Sequence, residues 1–232
     1  KTEQGHINIR VSEQDFLAFI YEVYLSFSEY AKYRAINFNF NCQDEKVPLW
    51  FDAAQMQKVF YNLISNAFKY TPKEGTISIS VSEQAERVEV KITDSGVGIS
   101  AEAIEKIFDR FYQAENGLQI SNMAPGTGIG LALTKSILET HKAEIHVESK
   151  PQVGSIFTIT LRKGAAHFND EQKVTQFTEN EEYLQQVNDI DDEFMQEVKS
   201  TQLQNNEAKY SMLIVEDNDE LREMLKNIFE PI

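Results

Sequence analysis

The sequence predicts a two-layer α/β sandwich: a mixed, mostly antiparallel sheet with one face covered by helices. Three observations point to it. Apolar residues recur at three- and four-residue spacing in three separate stretches, the period of a helix buried on one face. Four other stretches alternate apolar and polar residues, and two of these lie close enough to form a hairpin. Helices and hairpins follow one another without regular strand-helix-strand units, so a doubly wound parallel sheet is not expected.

The first helix is expected over Asp15 to Ala31, where Phe16, Phe19, Ile20, Val23, Phe27 and Tyr30 share one face. A short strand follows at Ile36 to Asn41. Asp52, with Gln55 three residues on, reads as the N-cap of a second helix. That helix runs to about Tyr70, stops before Pro72, and buries Met56, Phe60, Leu63, Ile64 and Ala67. Thr76 to Ser82 turns Ile77, Ile79 and Val81 inward, and Arg87 to Thr93 does the same with Val88, Val90 and Ile92. The two make a hairpin with its turn near Gln84 to Glu86. A short helix at Ala101 to Phe108 and a loop at Glu115 to Thr127 lead to a third long helix, about Ile129 to His141. Glu144 to Ser149 and Ser155 to Leu161 supply two further strands.

Composition narrows the function classes. With 41% hydrophobic and 11% aromatic residues, the 232-residue chain can bury a substantial core. A formal charge of −15, from 22 basic and 37 acidic residues, argues against nucleic-acid binding, which needs clustered Lys and Arg. Cys42 is the single cysteine, so an internal disulfide and a cysteine-rich metal site are excluded. No apolar run is long enough to span a bilayer, so no membrane insertion is expected, and the first ten residues do not resemble a signal peptide. The abrupt start suggests a piece of a larger protein.

Two glycine clusters and one helix face carry the candidate chemistry. Asp94, Ser95, Gly96, Val97, Gly98 and Ile99 follow directly on a strand. Glycines two apart let the backbone turn beside a ligand, and an aspartate at a strand end can accept from an exocyclic amine. A tight Asx turn explains the same residues. Gly126, Thr127, Gly128, Ile129, Gly130 and Leu131 open a helix, where free amides bind anions, although a loop before a capped helix is the plainer account. The cluster follows a polar loop and lacks Gly-Lys-Ser or Gly-Lys-Thr, so neither a Rossmann nor a Walker motif is present. Asn62 and Asn66 lie four apart on one helix face, continued by Lys69 and Tyr70. Such carboxamides suit a metal-bridged polyphosphate, since Mg²⁺ is usually held by few protein oxygens, or they are simply the polar face of an amphipathic helix.

Together these features resemble the ATPase domain of sensor histidine kinases, a fold shared more distantly with gyrase, the Hsp90 chaperones and the mismatch-repair ATPases. The match covers most of residues 8 to 164. It comprises an asparagine box from Asn62 to Tyr70, a first glycine box from Asp94 to Gly98 and a phenylalanine box from Ile107 to Tyr112. A second glycine box from Gly126 to Leu133 and a terminal strand from Gly154 to Leu161 complete it. The resemblance implies a sandwich of the histidine kinase ATPase type that uses ATP and Mg²⁺. Asn66 would hold Mg²⁺, Asn62 and Lys69 would approach the phosphates, Tyr70 would wall the adenine, and Asp94 would accept from its amino group. Gly96 and Gly98 would shape the adenine end, and Gly128 and Gly130 would present amides to the phosphates. Ile99, Tyr112, Gly126, Thr127, Ile129 and Leu131 would complete the ATP-binding set. Residues Tyr112 to Gly126 would form a mobile lid, with Phe108 and Phe111 both core residues and lid anchors.

Beyond Gly164 the composition shifts. Between Phe168 and Glu207 there are 11 acids against Lys173 and Lys199, so residues 165–210 read as an acidic linker, with a helix around Asp191 to Leu203. Met212 to Val215 then looks like a buried strand, followed by a helix from Asp219 to Phe229. Leu213, Ile214, Val215, Glu216, Asp217 and Asn218 resemble the first strand and acidic pair of a response-regulator receiver. In an intact receiver Glu216 and Asp217 would share a Mg²⁺, but residues 211–232 are too few for a domain.

A hybrid two-component sensor kinase is the natural parent, cytoplasmic in this part and anchored in the inner membrane elsewhere. The implied partners are the parent's dimerising phosphoacceptor hairpin and its receiver domain. The acceptor histidine of this family is followed by Glu or Asp, which helps deprotonate the imidazole. None of His6, His141, His146 and His167 has that neighbour, so residues 1–7 read as the tail after an absent hairpin and no catalytic residue is assigned. His141, at a helix end, is expected to cap it or meet its dipole. Two alternatives remain. One is an ATP-driven conformational clamp of the gyrase or chaperone kind, which usually has a catalytic Glu where Asn62 stands. The other is a nucleotide-free interaction module, disfavoured by intact Asn66, Asp94 and Gly128.

Overall fold

The computed structural model describes residues 8–113 and 128–174. The tail 1–7, most of the expected lid with Gly126 and Thr127, the linker beyond Val174, and Glu216 and Asp217 lie outside the described residues.

Strand β1 (Ser12–Asp15) pairs antiparallel with β3 (Pro48–Phe51) in a small sheet that the alternation pattern does not reveal. Helices α1 (Phe16–Ser26) and α2 (Ser28–Tyr33) stand where a single helix to Ala31 is expected. The break has a local cause. Ser26 Oγ donates to Val23 O at 2.7 Å and Ser28 Oγ to Tyr24 O at 3.4 Å, while Phe27 N donates to Tyr24 O at 3.2 Å, a tighter three-residue bond. Serine back-bonding of this kind bends helices.

The main sheet contains β2 (Asn37–Cys42), β4 (Thr76–Glu83), β5 (Arg87–Asp94), β6 (Glu144–Lys150) and β7 (Gly154–Arg162) in the order β2-β4-β5-β7-β6. Only β2 and β4 are parallel. Their crossover carries α3 (Ala53–Tyr70), as a parallel connection requires. Asp52 caps α3 as expected, its side chain accepting from Gln55 N at 3.1 Å. A short helix α4 (Ala101–Ile104) gives way to turns before Phe108, and α5 (Gly130–Thr140) supplies the third long helix.

Between helices and sheet lies the core. From α3 it takes Met56, Val59, Phe60, Leu63, Ile64, Ala67 and Phe68; from the hairpin, Ile77, Ile79, Val88, Val90 and Ile92. Phe16, Phe19, Phe51 and Phe60 meet with ring centroids 5.0 to 6.1 Å apart, fastening α1 and the small sheet to α3.

The packed chain also runs past residue 164, where the acidic linker is expected to begin. Phe168 is buried with Ile9 and Val11, and Trp50 packs on them. Val11 N donates to Gln172 O at 2.7 Å, and Val174 N donates to Val11 O at 2.9 Å. Residues 165–174 therefore belong to the folded unit: the burial of Phe168 against Ile9 and Val11 and a short parallel pairing outweigh the acidic composition. The acids there, Asp170 and Glu171, sit in a single 3₁₀ turn at the surface.

Candidate functional site

Asn62, Asn66 and Tyr70 stand at successive four-residue steps on α3, so they form one stripe about 12 Å long at 1.5 Å per residue. Each end of the stripe is held by one glycine cluster. At Tyr70, the carbonyl accepts from Val97 N at 3.2 Å, and a Cβ on Gly96 would lie 2.5 Å from that same oxygen. At Asn62, Nδ2 donates to the buried Thr134 Oγ1 at 3.0 Å, and a Cβ on Gly130 would lie 2.1 Å from Asn62 Oδ1. The carboxamide of Asn66, half-buried between the two ends, makes no hydrogen bond among the described residues.

Asp94 closes the Tyr70 end. It is buried, and its Oδ1 accepts from Gly96 N at 2.8 Å. Burial pushes its pKa above the ordinary carboxylate value, against the hydrogen bonds from Gly96 N and from the backbone and side chain of Ser155. Burial therefore disfavours the charged form of this carboxylate more than its protein donors favour it. Burial raises the Tyr70 phenol as well, and Lys69 Nζ lies 5.8 Å from the centre of the Tyr70 ring.

Five further residues build this end. Gly154, at φ +131°, lets β7 come beside Asp94: a Cβ there would lie 1.9 Å from Asp94 O. Ile99 N donates to Ser149 Oγ at 2.8 Å, and that hydroxyl donates to Gly154 O and lies 3.0 Å from Ser155 Oγ. Gly98, at φ +68°, sits where a Cβ would strike Lys150 O. Ser149 and Ser155 escape the sequence reading because a strand serine looks like any outward polar residue. The register that sets Ser155 opposite Asp94 was the only signal that could have found it.

Several expected residues also make contacts within the fold. Asn62 Nδ2 is bonded to Thr134 on α5, and Gly130 is required for that close approach, so both hold helix to helix in this structure. Gly128, at φ +70°, accepts from Phe111 N at 2.8 Å through its carbonyl, which ties the phenylalanine box to the start of α5. Phe111, expected in the core, is 72% exposed at φ +66° and anchors this junction through its backbone. Phe108 is half-buried, with Lys135 Nζ 5.7 Å from its ring centre. Tyr112 and Leu131 are half-buried and Ile129 is exposed.

The residues present fit a nucleotide with its metal. Among the described residues, no group of three or more His, Cys, Asp or Glu could hold a metal by itself. Mg²⁺ would rest on a carboxamide and on phosphate oxygens, which the unpartnered Asn66 can serve. Among the described residues, no helix is long and apolar enough to cross a membrane. A shallow groove of about 480 Å³ lined by Arg87, Lys142 and Arg162 lies at the opposite end of β5 from Asp94 and gathers none of these residues.

His141 ends α5 as a buried, neutral-favouring ring and not as a cation on the helix dipole. Burial lowers its pKa, against the carbonyl of Ile137 and the charge of Asp52. The unfolded histidine takes a proton near pH 6.5 while the folded one resists it, so the unfolded state binds more protons as pH falls. Stability is therefore complete above that pH and declines below it. The melting temperature of His141→Gln should fall less than that of the wild type between about pH 6.5 and 5. The slope that remains includes His167, also lowered by burial.

Residues 51–165 match the family of histidine kinase-, DNA gyrase B- and HSP90-like ATPases. Residues 51–165 thus form a domain of that family, of the kind that serves as the catalytic ATPase domain of histidine kinases. Histidine kinase P4 of Formosa agariphila is 34% identical over 232 residues, covering 99% of this chain and 17% of that protein. The chain spans about a fifth of the length of the curated relatives it matches. The nucleotide-free catalytic domain of histidine kinase ThkA superposes with a TM-score of 0.59 at 28% identity, covering 67% of this chain and 99% of that one. ThkA in complex with the response regulator protein TrrA matches at 25% identity and a TM-score of 0.56, covering 68% of this chain and 43% of that one.

Proposed function

We propose that this chain binds Mg·ATP and positions the γ-phosphoryl group for transfer to a histidine on a dimerising helical hairpin of the same protein, within a hybrid sensor kinase. The observation that carries the reading is Asp94: a buried carboxylate at a strand end, packed through Gly96 beside Tyr70 at one end of the stripe. An adenine amino group would donate to this carboxylate. Asn66 offers an uncommitted carboxamide oxygen midway along the stripe to the metal, and Lys69 a cation near the phosphates. When bound, Mg²⁺ neutralises phosphate charge. The protein's own part is alignment and exclusion of water, which is most of what phosphoryl transfer asks of an enzyme.

The hybrid arrangement rests on the receiver-like residues Leu213 to Asn218, with Glu216 and Asp217 as its acidic pair. A response regulator as phosphoryl recipient agrees with the ThkA complex with TrrA. In the whole protein this part would be cytoplasmic and a membrane anchor would lie elsewhere. Calorimetric titration of the 232-residue chain with a non-hydrolysable ATP analogue tests the reading. Saturable binding that strengthens with Mg²⁺ is expected, and no heat of binding in either condition would refute it.

A further inference from the structure

The far ends of the two helices that frame the stripe are joined by a second polar junction. Asp52 N donates to His141 Nε2 at 3.2 Å, and His141 Nδ1 lies 2.8 Å from Ile137 O. With Nδ1 donating to that carbonyl, Nε2 is the acceptor that Asp52 N requires. Helices α3 and α5 are thus an antiparallel pair tied twice. Asp52 and His141 tie one end, and Asn62, Thr134 and Gly130 tie the other.

Asp52 divides its carboxylate. Oδ1 accepts from Gln55 N at 3.1 Å and starts α3, while Oδ2 accepts from Arg10 N at 2.8 Å. Arg10 lies between Ile9 and Val11, the residues on which Phe168 packs, and the Phe168 ring meets the His141 ring edge-on at 6.3 Å. The incoming segment 9–11 and the outgoing segment 168–174 are therefore paired with each other and bonded to the start of the asparagine helix. Asn66 is about 20 Å from Ala53 along that helix, thirteen residues on at 1.5 Å each.

We infer that Asp52 and His141 are positioning residues for the nucleotide site, fixing α3 against α5 from their far ends and linking the site to the segments that flank the domain. The inference rests on the proposed binding of ATP along the α3 stripe. A packed helix transmits a displacement of one end to the other, and loss of an end tie lets the stripe shift against the glycine cluster.

Asp52→Asn separates positioning from folding. Asparagine caps a helix as well as aspartate, so one oxygen still serves Gln55 N, while the acceptor for Arg10 N is lost. His141→Leu removes the acceptor for Asp52 N, and His141→Gln restores one. Affinity for an ATP analogue, measured by calorimetry in the full chain, should fall on the order of tenfold in Asp52→Asn and His141→Leu and recover in His141→Gln. As a control, Ile159→Val in the buried sheet should lower the melting temperature without changing affinity. Wild-type affinity in Asp52→Asn, or equal affinity in His141→Leu and His141→Gln, would overturn the inference while leaving ATP binding intact. Failure of the wild type itself to bind would instead refute the functional reading beneath it.

Discussion

Asp94→Asn is expected to weaken adenine nucleotide binding about ten- to a hundredfold. The wild-type carboxylate is a pure acceptor in a buried position, and a hydrogen bond to such a charged group contributes about 1.5 to 3 kcal/mol. The amide of asparagine can turn only one oxygen to the site, and Gly96 N already competes for it at 2.8 Å. The fold should persist, because Gly154 and Ser155 still deliver β7 to this end of β5. Titration with ATP and with an inosine nucleotide, which lacks the exocyclic amine, checks the assignment. Wild-type protein should prefer ATP strongly and Asp94→Asn should not. Equal wild-type affinity for both nucleotides would remove Asp94 from the adenine role.

Asn66→Ala carries the other large effect. Its carboxamide makes no hydrogen bond among the described residues, so truncation to Ala should change stability by no more than about 0.5 kcal/mol. The same truncation takes away the carboxamide oxygen at the middle of the stripe, and the strengthening of ATP binding by Mg²⁺ should disappear. Asn62→Ala should behave differently, since that side chain holds Thr134 and loses a helix-to-helix bond. A Mg²⁺ dependence that survives in Asn66→Ala would place the metal on other ligands.

The helices and the hairpin were legible because their apolar residues repeat with the period of the element. Met56, Phe60, Leu63 and Ile64 mark α3, and Val88, Val90 and Ile92 mark β5, each buried as its spacing requires. The small sheet was not, because Ser12 to Asp15 is polar throughout and Pro48 to Phe51 does not alternate. The interruption at Phe27 was hidden for a related reason. Its cause is two serine hydroxyls, and the apolar pattern runs through them unbroken. In the site, Asn62, Asn66, Asp94 and the glycines were visible as types at a spacing. What they touch was not. Gly130 against Asn62, Gly154 against Asp94 and Ser155 opposite Asp94 are meetings of residues 50 or more apart in sequence that only strand register and helix crossing decide. The outgoing segment shows the limit of composition, since Phe168 anchors it to Ile9 and Val11 among residues whose acids suggest a linker.

Phosphoryl transfer in trans tests the central claim most directly. The 232-residue chain, mixed with γ-labelled ATP, Mg²⁺ and the separately purified hairpin of the same protein carrying a histidine followed by an acid, should place acid-labile, base-stable label on the hairpin. Transfer should be slow, because the two pieces meet without the linkage that raises their effective concentration, and it should vanish with Asn66→Ala. Label accumulating on His6, His141, His146 or His167 of the chain itself, or a hairpin left unlabelled by a chain that binds Mg·ATP, would contradict the account.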